Sequence, residues 1–228
     1  MSARFPSDSP GKLLGTGVAL RPVATPLPLG FLALVVATTT FSAVQLRWVG
    51  PDQATFAALT ALLIVPLQLV ASVFGFLSRD PVAGTGMGVL AGAWAVLGAA
   101  TLAAPSGTTS PGLGVMLVAA AFALLVPAMA GISKPVAAVV MAVAATRFAV
   151  TGAAQLTGAP GWRTAAGVVG LVLAVVALYG ALAFELEGVR GKAVLPLWRT
   201  GAAATAVSDD ANEQLSGLEH EAGVRKQL

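Results

Sequence analysis

Arg147 lies 12 residues past Pro135, inside a stretch of Ala, Val and Met, with Thr151 and Gln155 following at i+4 and i+8. On a helix opening at Pro135 it would stand ~18 Å from the start at ~1.5 Å per residue, too deep for its side chain to reach either edge of a bilayer comfortably. The three side chains share one helical face. A guanidinium followed by a hydroxyl and an amide makes a stripe suited to a small anion. The other use of such an arginine is structural: it would bond carbonyls at the end of a neighbouring helix or face a partner subunit. Two uncharged stripes accompany it, Thr38, Ser42 and Gln45 at i, i+4 and i+7, and Gln68 with Ser72 at i and i+4. These either line a wet path or supply interhelical hydrogen bonds of ~0.6 to 2 kcal/mol each.

The residues that are missing narrow the chemistry further. With no Cys in 228 residues there are no disulfides, thiolate metal sites or cysteine nucleophiles. The one histidine, His220, lies in a polar tail, so no histidine metal site or Ser-His-Asp triad forms within the apolar region. Asp52 and Asp80 sit between apolar segments, and Glu185 and Glu187 follow the last, which leaves no carboxylate for a proton relay of the pump type. There is no P-loop, dinucleotide fingerprint or acidic metal cluster. No cofactor, no metal and no catalytic group are expected, and an enzyme is not.

The elements that must position these residues are set by hydropathy. Apolar residues make up 57% of the chain and charged ones 10%, with a mean hydropathy of +0.85, which no ordinary water-exposed surface accommodates. Six apolar runs of the length needed to cross ~30 Å of hydrocarbon are punctuated by Pro, Gly and charge. They extend over 29–46, 54–77, 82–104, 112–131, 135–156 and 162–184. The expected fold is all-α, a polytopic membrane protein with six transmembrane helices. Its division is an N-terminal arm over 1–28, a membrane domain over 29–187 and a C-terminal segment over 188–228, disordered after about residue 200. The short connections leave function to the helices and their mouths.

The first 28 residues have no signal-peptide pattern. With the N-terminus inside, cytoplasmic segments hold Arg4, Lys12, Arg21, Arg79, Lys134, Arg190, Lys192, Arg199, Arg225 and Lys226, against Arg47 and Arg163 outside. Both termini are therefore expected in the cytoplasm. The pI near 9.8 follows from this bias. Without a basic patch interleaved with aromatics, nucleic acid is not an expected partner. Gly84, Gly88 and Gly92 form a smooth ridge for close helix packing or an oligomer contact. Pro66 and Pro127 free backbone carbonyls that either line a cavity or mark a kink.

Thr25-Pro26-Leu27-Pro28-Leu29-Gly30-Phe31 resembles the Asn-Pro-Ala-Pro-Leu-Gly-Leu signature of the acetate uptake transporter family, the succinate–acetate permeases, which have six spans. Prolines without N–H groups at a helix start leave its first free amides and its dipole to favour a carboxylate. Gln68 followed 26 residues later by Trp94, Tyr179 in the last span, and Gly191-Lys192-Ala193-Val194-Leu195-Pro196-Leu197, similar to the family ending Gly-Arg-Thr-Val-Leu-Pro-Ile, extend the resemblance from Ala24 to about Trp198. The chain departs from the family at Thr25, where the motif has Asn, at Gly75, where members carry Glu late in the second span, and at Leu90, where they carry Tyr in the third. Arg147 stands where better-known members have an apolar residue.

The resemblance implies a permease or channel for small monocarboxylates such as acetate, or succinate, in a bacterial-type plasma membrane. It also implies a homo-hexamer with one pore per subunit. Substrate would meet Thr25, Pro26, Leu27, Pro28, Leu29 and Gly30, then pass Thr38, Ser42, Gln68 and the stripe of Arg147, Thr151 and Gln155. Any proton coupling would rest on the substrate carboxyl, which titrates near ~4 to 5. The losses at Thr25, Gly75 and Leu90 leave open a degenerate member with a structural or sensory role. A pore for a small neutral solute such as urea or an amide also stays open.

Overall fold

The computed structural model describes residues 24–105 and 107–201. Most of the expected N-terminal arm, the acidic tail and His220 lie outside the described residues. Six helices follow in order: α1 Leu27–Gln45, α2 Ala54–Leu77, α3 Pro81–Ala103, α4 Pro111–Ala130, α5 Pro135–Thr157 and α6 Pro160–Arg190. All six are long and apolar enough to cross a membrane. A 3-10 turn at Pro51–Gln53 leads into α2, and no strand occurs among the described residues.

Five helices carry proline at their first or second position, where its missing N–H costs nothing and its φ already suits a helix. Asp80 caps α3 by accepting from the Ala83 N–H at 3.2 Å, and Ser110 caps α4 by accepting from Leu113 N–H at 3.3 Å. Three ends differ from expectation by two residues or more, one of them the start of α6 at Pro160 where 162 was expected. The prolines of the Thr25–Gly30 segment pull the start of α1 back to Leu27. At the other end α6 runs on to Arg190 and stops at Gly191 in the left-handed region, so Glu185 and Glu187 are helical.

Each helix packs against its neighbours in sequence, and α6 returns to α1, so the six close into a ring. The odd-numbered helices run parallel, and side chains from them fill the axis. Met87 of α3 lies against Gly30 of α1, Met141 of α5 lies against Gly86 of α3, and Trp94 of α3 packs between Phe41 of α1 and Phe148 of α5. Every helix is apolar around most of its circumference, as expected where the outer solvent is hydrocarbon. Close contact therefore comes from small residues.

The α2–α3 pair shows this most clearly. A Cβ on Gly75 would lie 2.5 Å from the Gly84 nitrogen, and the Ser72 hydroxyl donates to the Gly84 carbonyl at 2.6 Å. Gly84 is covered by Phe76, and a Cβ on Gly88 would lie 3.1 Å from the Ser72 hydroxyl, so these two glycines of the ridge serve packing within the subunit. Gly75→Ala is expected to push α2 off α3 and cost about 1–3 kcal/mol, read as a lower unfolding temperature in detergent. Equal stability of the variant would show that the contact can relax.

The ring has two distinct ends. The connections 46–53, 104–105 with 107–110, and 158–159 gather at one, and 78–80, 131–134 and the described segment after α6 gather at the other. At the second end Lys134 pairs with Asp80 at 2.9 Å. The chain after Gly191 turns back as a strap. Leu197 is buried in the core, Tyr179 donates to the Pro196 carbonyl at 2.7 Å, and Arg199 holds Glu187 through two bonds of 2.7 and 2.5 Å. The Arg199 guanidinium lies 5.6 Å from the Phe184 ring, and Thr200 N–H donates to the Ser133 carbonyl at 3.0 Å. The family-like ending thus seals this end of the bundle.

Candidate functional site

A vestibule of ≈ 620 Å³ opens at the first end, between the connections of α1–α2, α3–α4 and α5–α6. Its wall includes Gln45, Thr101, Ser110, Thr151 and Gln155, with Arg47 and Arg163 towards the connections and Phe41, Leu97 and Leu113 among its apolar lining. The aromatic layer begins at Phe41. Trp94 is fully buried, 5.7 Å from Phe41 and edge-on to Phe148 at 5.5 Å, centroid to centroid. Such tilted pairs are favourable ring geometries that add to area burial. This layer closes the axis to solvent.

Unpartnered polar groups lie at the same depth. Gln68 is fully buried, and neither its amide nitrogen nor its oxygen finds a hydrogen-bond partner among the described residues; Trp94 Nε1 is in the same state. The antiparallel register set by Gly75 against Gly84 and by Leu62 against Gly98 puts Gln68 level with Ala91 and Gly92, within one helical turn of Trp94. Leaving buried donors and acceptors unmet costs about 1–3 kcal/mol each. An interior that retains several at one level suits a polar solute or water. The Gln68–Trp94 spacing seen in the sequence thus puts the two residues at similar levels on neighbouring helices, α2 and α3.

The stripes on α1 and α5 meet each other. Thr38 donates to the Gly170 carbonyl at 3.2 Å, and Ser42 lies against Gly170 with its hydroxyl unpartnered among the described residues. Arg147 is 1% exposed, packs its guanidinium on Gly170, and donates to Gln45 Oε1 at 2.5 Å and to the Ala166 carbonyl. These contacts form one polar seam between α1, α5 and α6. The stripe expected from Arg147, Thr151 and Gln155 therefore divides. Thr151 donates to the Arg147 carbonyl at 2.7 Å and Gln155 accepts from Ser110 N–H at 2.9 Å, and both reach the vestibule wall. Arg147 itself stands behind that wall and bonds a carbonyl of a neighbouring helix, the structural use weighed for it above.

Its charge is nevertheless uncompensated. Among the described residues no carboxylate pairs with Arg147, and its partners are neutral oxygens. Gln45 links it to the vestibule. With Oε1 committed to the guanidinium, the Gln45 amide N–H groups are left as donors at the cavity wall.

The motif at the start of α1 lies toward the strap end. Thr25 is half-buried, Pro26, Leu27, Pro28 and Gly30 are buried, and Leu29 points outward. Gly30 admits Met87, since a Cβ there would lie 2.3 Å from its sulfur. Leu90 is fully buried on the same helix as Met87. At Gly75, contact with the α3 backbone leaves no space for the glutamate of the resembling family, so the departure there is built into the helix packing. Pro66 faces outward, away from any cavity. No group of three metal-ligating side chains occurs among the described residues.

Sequence reading missed the aromatic layer, because Phe41 and Phe148 look like ordinary apolar residues of long apolar runs. It also gave Arg47 and Arg163 no role beyond orientation.

No protein-family model matches the chain, and no curated protein matches it in sequence. Among solved structures it is similar to that of the bacterial acetate channel SatP, at 20% identity, with a TM-score of 0.68, over 76% of this chain and 98% of that one. The six apolar helices expected from hydropathy and from the family resemblance thus share their fold with that membrane channel.

Proposed function

We propose that this chain is a membrane channel or permease for small monocarboxylates such as acetate, and not an enzyme. One observation carries the reading: Arg147 is a cation buried in mid-span without a counter-ion among the described residues, whereas the other buried charge, Glu187 near the end of α6, is paired with Arg199, and Arg147 is tied through Gln45 to the vestibule wall. A fixed positive charge in low dielectric favours an anion nearby and opposes a cation. Solute would enter the vestibule, pass the layer of Phe41, Trp94 and Phe148, exchange hydrogen bonds with Gln68 and Trp94 Nε1, and leave past Met87 and the Thr25–Gly30 segment. The similarity in fold to a bacterial acetate channel supports a channel for a small solute. Glu187 is bound by Arg199 at the far end, so proton coupling would rest on the substrate's own carboxyl group.

The count of Lys and Arg favours a cytoplasmic strap end, and the family resemblance favours a bacterial-type plasma membrane. The family resemblance makes the assembly a hexamer.

The test is uptake of labelled acetate into liposomes carrying the purified protein, at about pH 5.5 and about pH 7.5, on either side of the condition where the neutral acid (carboxyl near ~4 to 5) becomes scarce. Saturable uptake at both is expected. Transport of urea or an amide in preference to acetate would turn the unmet amide of Gln68 into a site for a neutral solute. No flux of any small solute through folded, inserted protein would leave a structural or sensory role.

A further inference from the structure

Arg47 and Arg163 are the two cations on the vestibule end of the described ring, and they come together there. Both line the vestibule, and both line a smaller adjoining cavity of ≈ 220 Å³ with Gln45 and Thr164. Short connections on one face of a membrane protein are normally poor in Lys and Arg, so two arginines at a single mouth stand against the topological bias. Neither has a carboxylate partner among the described residues. Asp52, the acid on that face, is hydrogen-bonded by Gln53 Nε2 at 2.5 Å and is absent from both cavity linings.

Helix energetics do not account for them either. Arg47 closes α1 with φ at 59°, a left-handed position where glycine costs least. Arg163 stands in the first turn of α6, where the helix dipole repels a cation, and that turn has neither an acidic residue nor a side-chain cap. Two guanidiniums beside the Gln45 amide N–H groups make a cavity wall whose charge is all positive, since no carboxylate lines it. Arginine forks match carboxylate oxygens in geometry and charge.

We infer that Arg47 and Arg163 form an anion-capture site at the vestibule mouth, which takes a small carboxylate from bulk water before the aromatic layer strips its hydration. The inference rests on the carboxylate pathway proposed above and names where the anion is first held. A phospholipid headgroup offers similar oxygens, but the arginines line a vestibule shared by three connections, and a free anion is the occupant we assign.

The test uses Arg47→Gly, Arg163→Gln and the double variant. Glycine relaxes the left-handed backbone and Gln removes a cation from a helix start, so both proteins are expected to fold. The first readout needs no transport. Trp48 lines the vestibule and Trp162 precedes Arg163. In lipid-free non-ionic detergent, iodide is expected to quench tryptophan fluorescence about 2–3-fold less in the double variant, with acetate competing in the wild type and neutral acrylamide unaffected. Equal iodide quenching in both proteins overturns the site.

The second readout is acetate uptake. The double variant is expected to raise KM roughly 3- to 10-fold at low salt, with the loss on KM rather than on maximal rate, and the difference is expected to disappear near ~1 M salt, where screening acts over ~3 Å. If the wild type takes up no acetate, the pathway reading fails while the quenching result still decides the site. If the effect on uptake appears only in liposomes rich in anionic lipid, the arginines hold headgroups and the inference falls.

Discussion

Arg147→Leu is expected to lower acetate uptake by at least ~10-fold and to erase the preference for anions over small cations. A unit charge ~10 Å from a passing anion, at an effective dielectric of ~20, is worth about 1.7 kcal/mol, a factor of roughly 15 to 20 in local anion concentration. Leucine fits the apolar surroundings and removes an unpaired buried cation whose desolvation is costly. Lost flux in that variant therefore does not trace to unfolding. Arg147→Lys makes the complementary test. It retains the charge but loses the planar fork that reaches Gln45 Oε1 and the Ala166 carbonyl together, so anion preference should survive at lower thermal stability. Bilayer reversal potentials and liposome uptake read both variants. Unchanged selectivity in a normally assembled Arg147→Leu protein would reduce the arginine to a strut between α1 and α6.

Trp94→Ala should have the second large effect, on stability and size selection at once. The side chain is fully buried between Phe41 and Phe148, and its removal leaves a hole that the flanking helices fill only in part. A loss of about 3–5 kcal/mol is expected, visible as a lower unfolding temperature in detergent. Protein that remains folded should pass longer carboxylates and neutral solutes such as glycerol, because the barrier between vestibule and axis is opened. Trp94→Phe retains a ring between the other two and should keep the size limit while losing the indole N–H, which isolates the hydrogen-bonding part of its role. An unaltered cut-off in Trp94→Ala would place the barrier elsewhere on the axis.

The arrangement assigns separate tasks to separate groups. Charge sits behind the wall at Arg147, hydrogen-bonding capacity without fixed charge sits at Gln68 and Trp94, and the axis is closed by rings that can shift without breaking polar contacts. An ion pair placed on the axis would hold an anion too tightly for it to leave, whereas a cation set back from the path attracts without trapping.

Much of this was legible in the residues. Composition names the solvent, and the proline and glycine punctuation places five helix starts within two residues, because proline at a helix start is a local preference that packing does not override. The sixth span was read short at its far end. The sequence places Glu185 and Glu187 at the cytoplasmic end of the last helix, but nothing in it shows that the strap supplies Arg199 as a partner that lets Glu187 stay buried there. The family-like motif and ending implied a six-span channel fold, and the structure is similar to such a channel although only 20% of residues match it.

The site was legible in residue types and illegible in partners. Thr38, Ser42 and Gln45 formed one stripe and Arg147, Thr151 and Gln155 another, and nothing in either says that they face each other across α6. In water an apolar face would have announced which side of each helix turns inward. Here the helices are apolar nearly all round, since lipid and interior are alike to a leucine side chain. What the sequence by itself determined was therefore local: the bilayer as solvent, six spans, their starts, and the absence of cysteine chemistry and of a histidine metal site within the spans. What only the tertiary structure decided was rotation and register, fixed by contacts as close as Gly75 on Gly84, and with them the aromatic layer, the vestibule, and the placing of Arg147 behind its wall while Arg47 and Arg163 stand at its mouth. Those depend on how side chains far apart in the chain interlock, which no periodicity along one helix encodes.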